Sequence, residues 1–440
     1  MSEPTSFLGG RVVLHGGDCR DVLKTLADNS IDSVVTDPPY ALVSIVKRFG
    51  GDNASACKPG KTGAYARASA GFMGKKWDTG ESSFAVEFWD EVLRVLKPGG
   101  HVAAFSGTRT YHRLACAVED AGFEIRDQLA WTYGSGFPKS HDVSKGIDKA
   151  AGVEREILSR TSAKCGVFAH SGSGAVQNIQ DYEHVVTVAA TDSAREWQGW
   201  GTALKPSWEP IVLARKPISE RTVAANVLRW RTGAINVDAC RVEGELSEGR
   251  TRHGGGVPGA ASSFELPDSR GAMPAGRWPA NLIHDNSAEV LAGFPDSVST
   301  GGDGYKESMF CGGKPTGVHG LGDSGSAARF FYSAKADSDD RMASKHPTVK
   351  PVDLMQWLVR LITPPGGTTL DPFSGTGTTG EAAWRGGFSA VLIEREAEYQ
   401  ADIARRMEYA LAGPDARRHV ILKAKGKVDH AGPLFAESAP

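Results

Sequence analysis

Hydrophobic positions along the chain follow two periods, one typical of strands and the other of helices. The segments VVLHGGD, DVLKTLAD and IDSVVTD predict a strand, a helix and a strand within the first 40 residues. A predicted helix over 84–96, the apolar strand HVAAFSG and a helix over 110–121 continue the alternation, and EIRDQLAWTY and EPIVLARKP are further extended runs. This pattern predicts an α/β fold.

The alternation weakens in the middle of the chain and returns near its end. Predicted helices over 352–362 and 380–384, the strands TTLD and SAVLIE, and a helix to about residue 411 form the last quarter. Gly, Ser, Pro and Arg accumulate between these two regular parts, which is typical of loops. We therefore predict half of a core over 1–133, an insertion over 134–206, a core strand over 207–217, a loop-rich region over 218–329, the second half of the core over 330–412, and a flexible tail over 413–440.

Composition and charge exclude several classes of protein. With 40% hydrophobic and 23% charged residues, the 440-residue chain has the composition of a globular protein. Its apolar runs are too short to cross a bilayer and no leader-like segment is evident, so a cytoplasmic location without membrane contact is expected. The six scattered cysteines form no C-x-x-C pair, so neither a disulfide framework nor a metal site is expected.

One segment stands out against the net charge of −2. Between residues 41 and 78, seven Lys or Arg residues accompany two Asp residues. Such a run is either a solvated loop or a local contact surface for a polyanion. The lysines of this segment are Lys47, Lys58, Lys61, Lys75 and Lys76.

A glycine loop separates a predicted strand from a predicted helix near the C-terminus, in the segment DPFSGTGTT over 371–379. Gly375 and Gly377 allow the backbone to approach a ligand, and the helix N-terminus offers free N–H donors. Glu394 ends the next strand, where a carboxylate can accept hydrogen bonds from ribose hydroxyls. A nucleotide-like cofactor is therefore expected. The glycine spacing also fits an NAD-dependent oxidoreductase, although too few strand–helix units follow it for a dinucleotide fold.

The tetrad Asp37-Pro38-Pro39-Tyr40 follows a buried-looking strand. Each proline fixes φ and lacks an N–H, so the Asp37 carboxylate and the Pro38 carbonyl can both point outward as fixed acceptors. Tyr40 is placed to stack on a flat ring. Two such acceptors can hold both N–H bonds of an exocyclic amino group, and Asp37 would stabilise the positive charge that develops when the nitrogen attacks a methyl group.

Together these motifs resemble the S-adenosylmethionine-dependent DNA amino-methyltransferases, which methylate adenine N6 or cytosine N4. HGGDCRDVLKTL, LKPGGHVAAF, WEPIVLARKP and KHPTVKP add to the resemblance, and the tetrad precedes the glycine loop, as in the beta class. The resemblance implies a Rossmann-like seven-stranded sheet with circularly permuted motif order and a reversed hairpin at one edge. It also implies an inserted target-recognition lobe, here over 218–329.

The resemblance assigns a role to each matching residue. Asp37, Pro38, Pro39 and Tyr40 would hold the base, Glu394 the ribose, and Thr348 and Lys350 the methionine end of the cofactor. Asp18 would lie near the cofactor adenine, or would simply cap the following helix. The full set expected to bind the cofactor is Asp18, Thr348, Lys350, Asp371, Phe373, Ser374, Gly375, Gly377 and Glu394.

The implied substrate is double-stranded DNA, from which the target base must be flipped out. The basic segment directly follows Tyr40 and would contact phosphates, while Arg229 and Arg231 are candidates for reading base edges. Asp at the head of the tetrad favours adenine N6, with cytosine N4 as the alternative and a non-catalytic DNA-binding protein as a more distant one. A second copy of the chain and a companion restriction endonuclease are further candidate partners.

Overall fold

A computed structural model describes most of both predicted core halves. The described residues are 3–40, 82–136, 140–163, 182–243, 276–298, 324–334, 338–342, 344, 346, 348–412 and 417. The basic segment 41–78, with Lys47, Lys58, Lys61, Lys75 and Lys76, lies outside them.

Fourteen strands occur in this part of the chain. They are β1 (Thr5–Phe7), β2 (Val12–Gly16), β3 (Ile31–Thr36), β4 (Leu96–Phe105), β5 (Glu124–Thr132), β6 (Ile157–Ala163), β7 (Tyr182–Thr187), β8 (Trp208–Arg215), β9 (Leu282–His284), β10 (Asp296–Val298), β11 (Ser324–Ser326), β12 (Tyr332–Ser333), β13 (Thr368–Asp371) and β14 (Ser389–Glu394). The α-helices are Cys19–Leu23, Val86–Val95, Tyr111–Asp120, Val143–Ala150, Asp192–Glu196, Val223–Trp230, Ala288–Leu291, Val352–Ile362, Thr378–Arg385 and Ala397–Ala410.

Ten of these strands form one sheet in the order β1-β2-β14-β13-β3-β4-β8-β5-β9-β12. The five strands β2, β14, β13, β3 and β4 are parallel to one another. Strand β8 runs antiparallel to both β4 and β5. The predicted α/β class with a largely parallel sheet is confirmed. The sheet exceeds the expected seven strands because β1, β9 and β12, each only two or three residues long, extend its edges.

Helices cover both faces of the sheet. Adjacent residues of β3 show this directly, because Val35 packs under helices Val352–Ile362 and Thr378–Arg385, and Val34 packs with helices Val86–Val95 and Tyr111–Asp120 on the other face. All six residues of β3 are buried. Its apolar residues Ile31, Val34 and Val35 indicate a strand, and its polar residues Asp32, Ser33 and Thr36 are buried with them.

The carboxyl ends of β3, β13, β14 and β4 meet at one edge of the sheet, which we call the carboxyl edge. The reversed strand β8 brings its first residues to the same edge, where the N–H of Ser106 donates to the carbonyl of Pro210 at 2.9 Å. Residues following β3, β4, β13 and β14 and the first residues of β8 can therefore form a common site.

The segments outside the sheet include an independent hairpin and several short elements. Strands β6 and β7 form a two-stranded antiparallel sheet within the predicted insertion, as β10 and β11 do elsewhere. Among the described helices, none has the length and apolar character needed to span a membrane.

Candidate active site

Asp37 lies one residue beyond β3, at the carboxyl edge. Its Oδ2 accepts a hydrogen bond from Lys350 Nζ at 2.8 Å. Its Oδ1 is buried and has no hydrogen-bond partner among the described residues. A buried carboxylate oxygen without a donor costs free energy, so it marks a place where a ligand donor belongs.

Lys350 makes three polar contacts within this cluster. Its ammonium lies 2.8 Å from Asp37 Oδ2, 3.0 Å from Glu209 Oε2 and 3.1 Å from the Tyr40 hydroxyl. The side chain is only 7% exposed. Burial alone would lower the pKa of Lys350, but the carboxylates of Asp37 and Glu209 outweigh it and raise the pKa above its usual value.

Glu209 is a site residue that sequence reasoning missed. It stands near the start of β8, and its Oε2 accepts a hydrogen bond from the Tyr40 hydroxyl at 2.8 Å. An acidic residue at the head of the apolar run PIVLA was the available signal, but it gains meaning only when β8 is known to be reversed. Burial first, and then Asp37 and Glu209, keep the pKa of Tyr40 well above its usual value, so the hydroxyl stays protonated.

The DPPY end of β3 is joined directly to the glycine loop. The hydroxyl of Thr36 donates to Asp371 Oδ1 at 2.7 Å, and that of Thr379 donates to Asp371 Oδ2 at 2.5 Å. The N–H of Phe373 also donates to Oδ1. Burial raises the pKa of Asp371 to about 6. Both of its oxygens are therefore engaged within the protein, and Asp371 shapes the loop.

Two glycines of the loop have positive φ, +52° at Gly375 and +76° at Gly377. A Cβ at Gly377 would lie 3.0 Å from Ile403, so both the backbone angle and the close packing require glycine there. The Ser374 hydroxyl donates to the Asp371 carbonyl at 2.8 Å and accepts from the N–H of Ile393 at 2.9 Å, which fastens the loop to β14.

Glu394 closes the glycine loop from the neighbouring strand. Its Oε2 accepts from the N–H of Gly375 at 2.8 Å, and its Oε1 accepts from the N–H of Glu396 at 2.8 Å. Burial raises the pKa of Glu394 to about 7. Each oxygen retains a second lone pair, so this carboxylate can also accept hydrogen bonds from ribose hydroxyls.

The remaining residues expected to bind the cofactor lie around this loop. Phe373 contacts Phe88 with ring centroids 5.2 Å apart. The His346 ring hydrogen-bonds the Thr348 carbonyl at 2.7 Å and faces Gly375, so Thr348 lies beside the loop. Asp18 caps helix Cys19–Leu23 by accepting from the N–H of Arg20 at 3.0 Å.

Arg229 and Arg231 are not brought to the carboxyl edge. Arg229 pairs with Glu220 at 2.6 Å, and Arg231 donates to the carbonyl of Pro365, which precedes β13. Their helix, Val223–Trp230, is fastened by Asn226 to the carbonyl of Pro98 at the beginning of β4. That point is the opposite edge of the sheet from Asp37, so the structure does not bring these arginines beside Asp37, and their contacts with base edges stay a prediction.

The described residues therefore place a carboxylate with one free oxygen next to a glycine loop that has a carboxylate at its rim. They include no cluster of three or more His, Cys, Asp or Glu side chains placed to hold a metal ion. The site thus combines a free carboxylate oxygen of Asp37, which can accept a hydrogen bond from an amino group, with a glycine loop that can hold a nucleoside.

Two curated relatives match parts of the chain. The Type II methyltransferase M.HindIII from Haemophilus influenzae is 28% identical over 240 residues, which are 51% of this chain and 64% of that protein. The Type II methyltransferase M2.DpnII from Streptococcus pneumoniae is 41% identical over 69 residues, which are 16% of this chain and 26% of that protein. The chain thus spans less than two thirds of either relative.

Solved structures of similar proteins also match over most of their length. A DNA modification methylase from Thermus thermophilus is 15% identical with a TM-score of 0.39, and the match covers 91% of this chain and 96% of that one. The cytosine-N4-specific PvuII DNA methyltransferase is 12% identical with a TM-score of 0.40, over 95% and 94% of the two chains.

The family assignment comes from a family model. The model described as DNA methylase, which represents N6- and N4-methyltransferases, matches residues 31–405. The matched range includes both the DPPY tetrad and the glycine loop. A match of this extent to a methyltransferase family excludes the alternative that the chain is an NAD-dependent oxidoreductase. Enzymes of this family use S-adenosylmethionine as the methyl donor. The chain therefore belongs to the DNA methylase family of N6- and N4-methyltransferases.

Proposed function

We propose that this protein methylates the exocyclic N6 of adenine in double-stranded DNA by direct attack of the amino nitrogen on the methyl group of S-adenosylmethionine. The observation that carries this proposal is the buried Oδ1 of Asp37, which has no partner among the described residues and lies at the same edge as the glycine loop.

The chemistry follows from the charges of the cluster. An exocyclic amino group is a poor nucleophile because its lone pair is delocalised into the ring. Asp37 Oδ1 would accept one of its N–H bonds and favour a more tetrahedral nitrogen. S-adenosylmethionine, when bound, supplies an electrophilic methyl group on sulfur. As the N–C bond forms and the S–C bond breaks, the nitrogen becomes positive, and the carboxylate stabilises that charge until a proton leaves.

The glycine loop and Glu394 are the proposed cofactor site. Gly375 and Gly377 turn the backbone of the loop through positive φ, and Glu394 holds its carboxylate at the rim of the loop. Four further residues border or brace this site, namely Asp18, Thr348, Phe373 and Ser374. The residues present therefore fit a nucleoside with two free ribose hydroxyls.

The DNA itself must deliver a single base to Asp37. An amino group inside a duplex cannot reach a buried methyl donor, so the base is flipped out at a cost of a few kcal/mol. The basic segment 41–78, which follows Tyr40 in the sequence, is proposed to contact phosphates and offset part of that cost. Adenine N6 is preferred over cytosine N4 because Asp heads the tetrad. A companion endonuclease and a homodimer stay predictions.

The product of the reaction tests this proposal. Purified protein is incubated with S-adenosylmethionine and unmethylated genomic DNA, the DNA is digested to nucleosides, and methylated bases are identified by mass spectrometry. We expect N6-methyladenine. N4-methylcytosine would keep the reaction and replace the target base, whereas the absence of any methylated base from a protein that binds the cofactor would contradict the proposal.

Cofactor affinity should depend on pH through Glu394. Since the pKa of Glu394 is raised to about 7, its carboxylate becomes protonated as the pH falls through neutrality and loses its capacity to accept ribose hydroxyls. The dissociation constant should therefore rise below pH 7, by up to about tenfold per pH unit. Calorimetric titrations with S-adenosylmethionine at pH 6, 7 and 8 measure this.

The matched control for this pH dependence is Glu394→Gln. The amide has nearly the same shape but does not titrate, so the variant should bind more weakly at pH 8 and show a flatter pH dependence. An unchanged pH dependence in this variant would show that another group is responsible.

A further inference from the structure

We propose that Lys350 and Glu209 are positioning residues for Asp37, which orient its carboxylate, set the charge around it and leave its Oδ1 free for the base, and that Lys350 does not bind the cofactor. This inference rests on the proposed function, because it refines the role of the same base-holding site.

The contacts of Lys350 support this assignment. Its ammonium forms two hydrogen bonds, with Asp37 Oδ2 at 2.8 Å and with the Tyr40 hydroxyl at 3.1 Å. The Glu209 carboxylate lies 3.0 Å from the same ammonium as an ion pair, so the polar contacts of Lys350 lie within the base-holding cluster. The ammonium also lies 4.9 Å from the ring centre of Phe105 and 5.4 Å from that of Tyr40, so aromatic faces complete its surroundings.

Lys350 also fixes which oxygen of Asp37 is free. Because Oδ2 accepts from Nζ, rotation of the carboxylate is restricted and Oδ1 remains the available acceptor. Tyr40 cannot supply this constraint, since its hydroxyl donates to Glu209 and accepts from Lys350.

Glu209 sets the charge of the cluster. Two carboxylates and one ammonium leave a net charge of −1, which favours a positive charge developing on the amino nitrogen of the base. With Glu209 absent, Asp37 and Lys350 would neutralise each other. With Lys350 absent, the carboxylates of Asp37 and Glu209 would repel each other without a cation between them.

Other charged and titratable groups around the cluster come from several elements. Tyr133, which directly follows β5, interacts electrostatically with Glu209, as Asp371 on β13 does with Asp37 and His346 does with Lys350. The groups around the Asp37 carboxylate are thus Lys350, Glu209, Tyr40, Tyr133, Asp371 and His346. Among these described residues, Lys350 is the one cation that touches the Asp37 carboxylate.

The deciding experiment is the pH profile of Lys350→Met. We expect kcat to fall and the acidic limb of its pH profile to move upward, because the carboxylates of Asp37 and Glu209 then repel each other without the ammonium between them. The dissociation constant for S-adenosylmethionine, measured by calorimetry, should stay within about twofold of the wild-type value.

A second substitution identifies Glu209 as the cause. In the double variant Lys350→Met/Glu209→Gln the repulsion between carboxylates is removed, so the acidic limb should return towards its wild-type position while kcat stays low. Glu209→Gln alone should lower kcat without moving the acidic limb upward.

A matched control and a measurement without catalysis complete the test. The matched control, Lys97→Met, removes another Lys–Asp pair, in which Lys97 Nζ lies 2.6 Å from Oδ1 of the buried Asp32. This pair lies at the opposite edge of the sheet from Asp37, so the control should leave the pH profile unchanged. In Lys350→Met the two carboxylates repel each other in the folded state, so the melting temperature of this variant relative to the wild type should decline further from pH 5 to pH 8.

Each outcome distinguishes the inference from the proposed function. A large rise in the dissociation constant for S-adenosylmethionine with an unmoved acidic limb would overturn the inference and return Lys350 to the cofactor. Failure of the wild-type protein to methylate DNA would instead overturn the proposed function, and the melting temperatures would still report whether Lys350 separates the two carboxylates.

Discussion

Asp37→Ala should lower kcat by about 10²–10³-fold or more, which corresponds to the loss of a fixed electrostatic group facing a developing charge. The substitution removes the acceptor for the amino group and also leaves Lys350 paired with Glu209 alone, so the cluster changes from a net charge of −1 to neutral. Affinity for S-adenosylmethionine should change little, because the proposed cofactor contacts come from the glycine loop and Glu394.

Single-turnover methylation assays and calorimetric titrations of the cofactor measure these two quantities separately. Asp37→Asn is the graded variant, since its amide keeps one acceptor oxygen but loses the charge, and it should fall between the wild type and Asp37→Ala. Asp90→Ala, on the exposed side of helix Val86–Val95, is the matched control and should retain wild-type turnover. Near-normal turnover in Asp37→Ala would show that the tetrad does not hold the base.

The parts of the fold with strong local signals were predictable from the sequence. The strand IDSVVT is buried on both faces and ends before two prolines, so both its type and its end could be predicted. Helix Val352–Ile362 has a broad apolar face and was predicted with its observed bounds. By contrast, β9 and β12 are two or three residues long, too short for a period to be visible.

The site residues likewise include some that a local sequence pattern predicts and others that it does not. Asp37 and Gly375 stand in short motifs whose residue types and spacing indicate their chemistry directly. The contact between Glu209 and Lys350 joins residues 141 positions apart in the chain. It depends on β8 running opposite to β4, a long-range property that no local pattern of charges or apolar residues encodes.

For Arg229 and Arg231, residue type suggested a position beside the site that the structure does not show. Arginines in a loop-rich region are reasonable candidates for base contacts, but only the path of the chain shows that helix Val223–Trp230 packs at the beginning of β4. Distance from the carboxyl edge, and not residue type, decides which cations lie close to Asp37.

The second large effect concerns stability and arises from a buried ion cluster behind the glycine loop. Glu381, in helix Thr378–Arg385, and Arg406 both have fully buried side chains. Glu381 contacts Arg406 at 2.8 Å, Arg385 at 2.8 Å and Arg417 at 2.5 Å. Arg406 in turn donates to the carbonyl of Thr376, which lies between the two loop glycines, at 2.7 Å. The cluster therefore holds the shape of the loop.

Glu381→Leu should lower the free energy of unfolding by about 3–5 kcal/mol, because it leaves the buried guanidinium of Arg406 without a counter-charge. Urea unfolding monitored by fluorescence measures this loss. The matched control is Arg385→Met, which removes an ion pair whose arginine is 35% exposed and leaves Glu381 with two partners. That control should cost no more than about 1 kcal/mol. Equal losses in the two variants would contradict a special role for the buried pair.

The pH dependence of this loss has a definite sign. Burial alone would raise the pKa of Glu381, but the charges of Arg406, Arg385 and Arg417 outweigh it and hold the pKa below its usual value of 4.5. A lowered carboxyl pKa contributes stability that is complete above pH 4.5 and is lost as the pH falls through the folded-state value. The difference in unfolding free energy between the wild type and Glu381→Leu should thus be constant from pH 5 to pH 8 and shrink below pH 4.5. Since Arg406 fastens Thr376, the variant should also bind S-adenosylmethionine more weakly at pH 8, which links the buried cluster to the cofactor site in front of it.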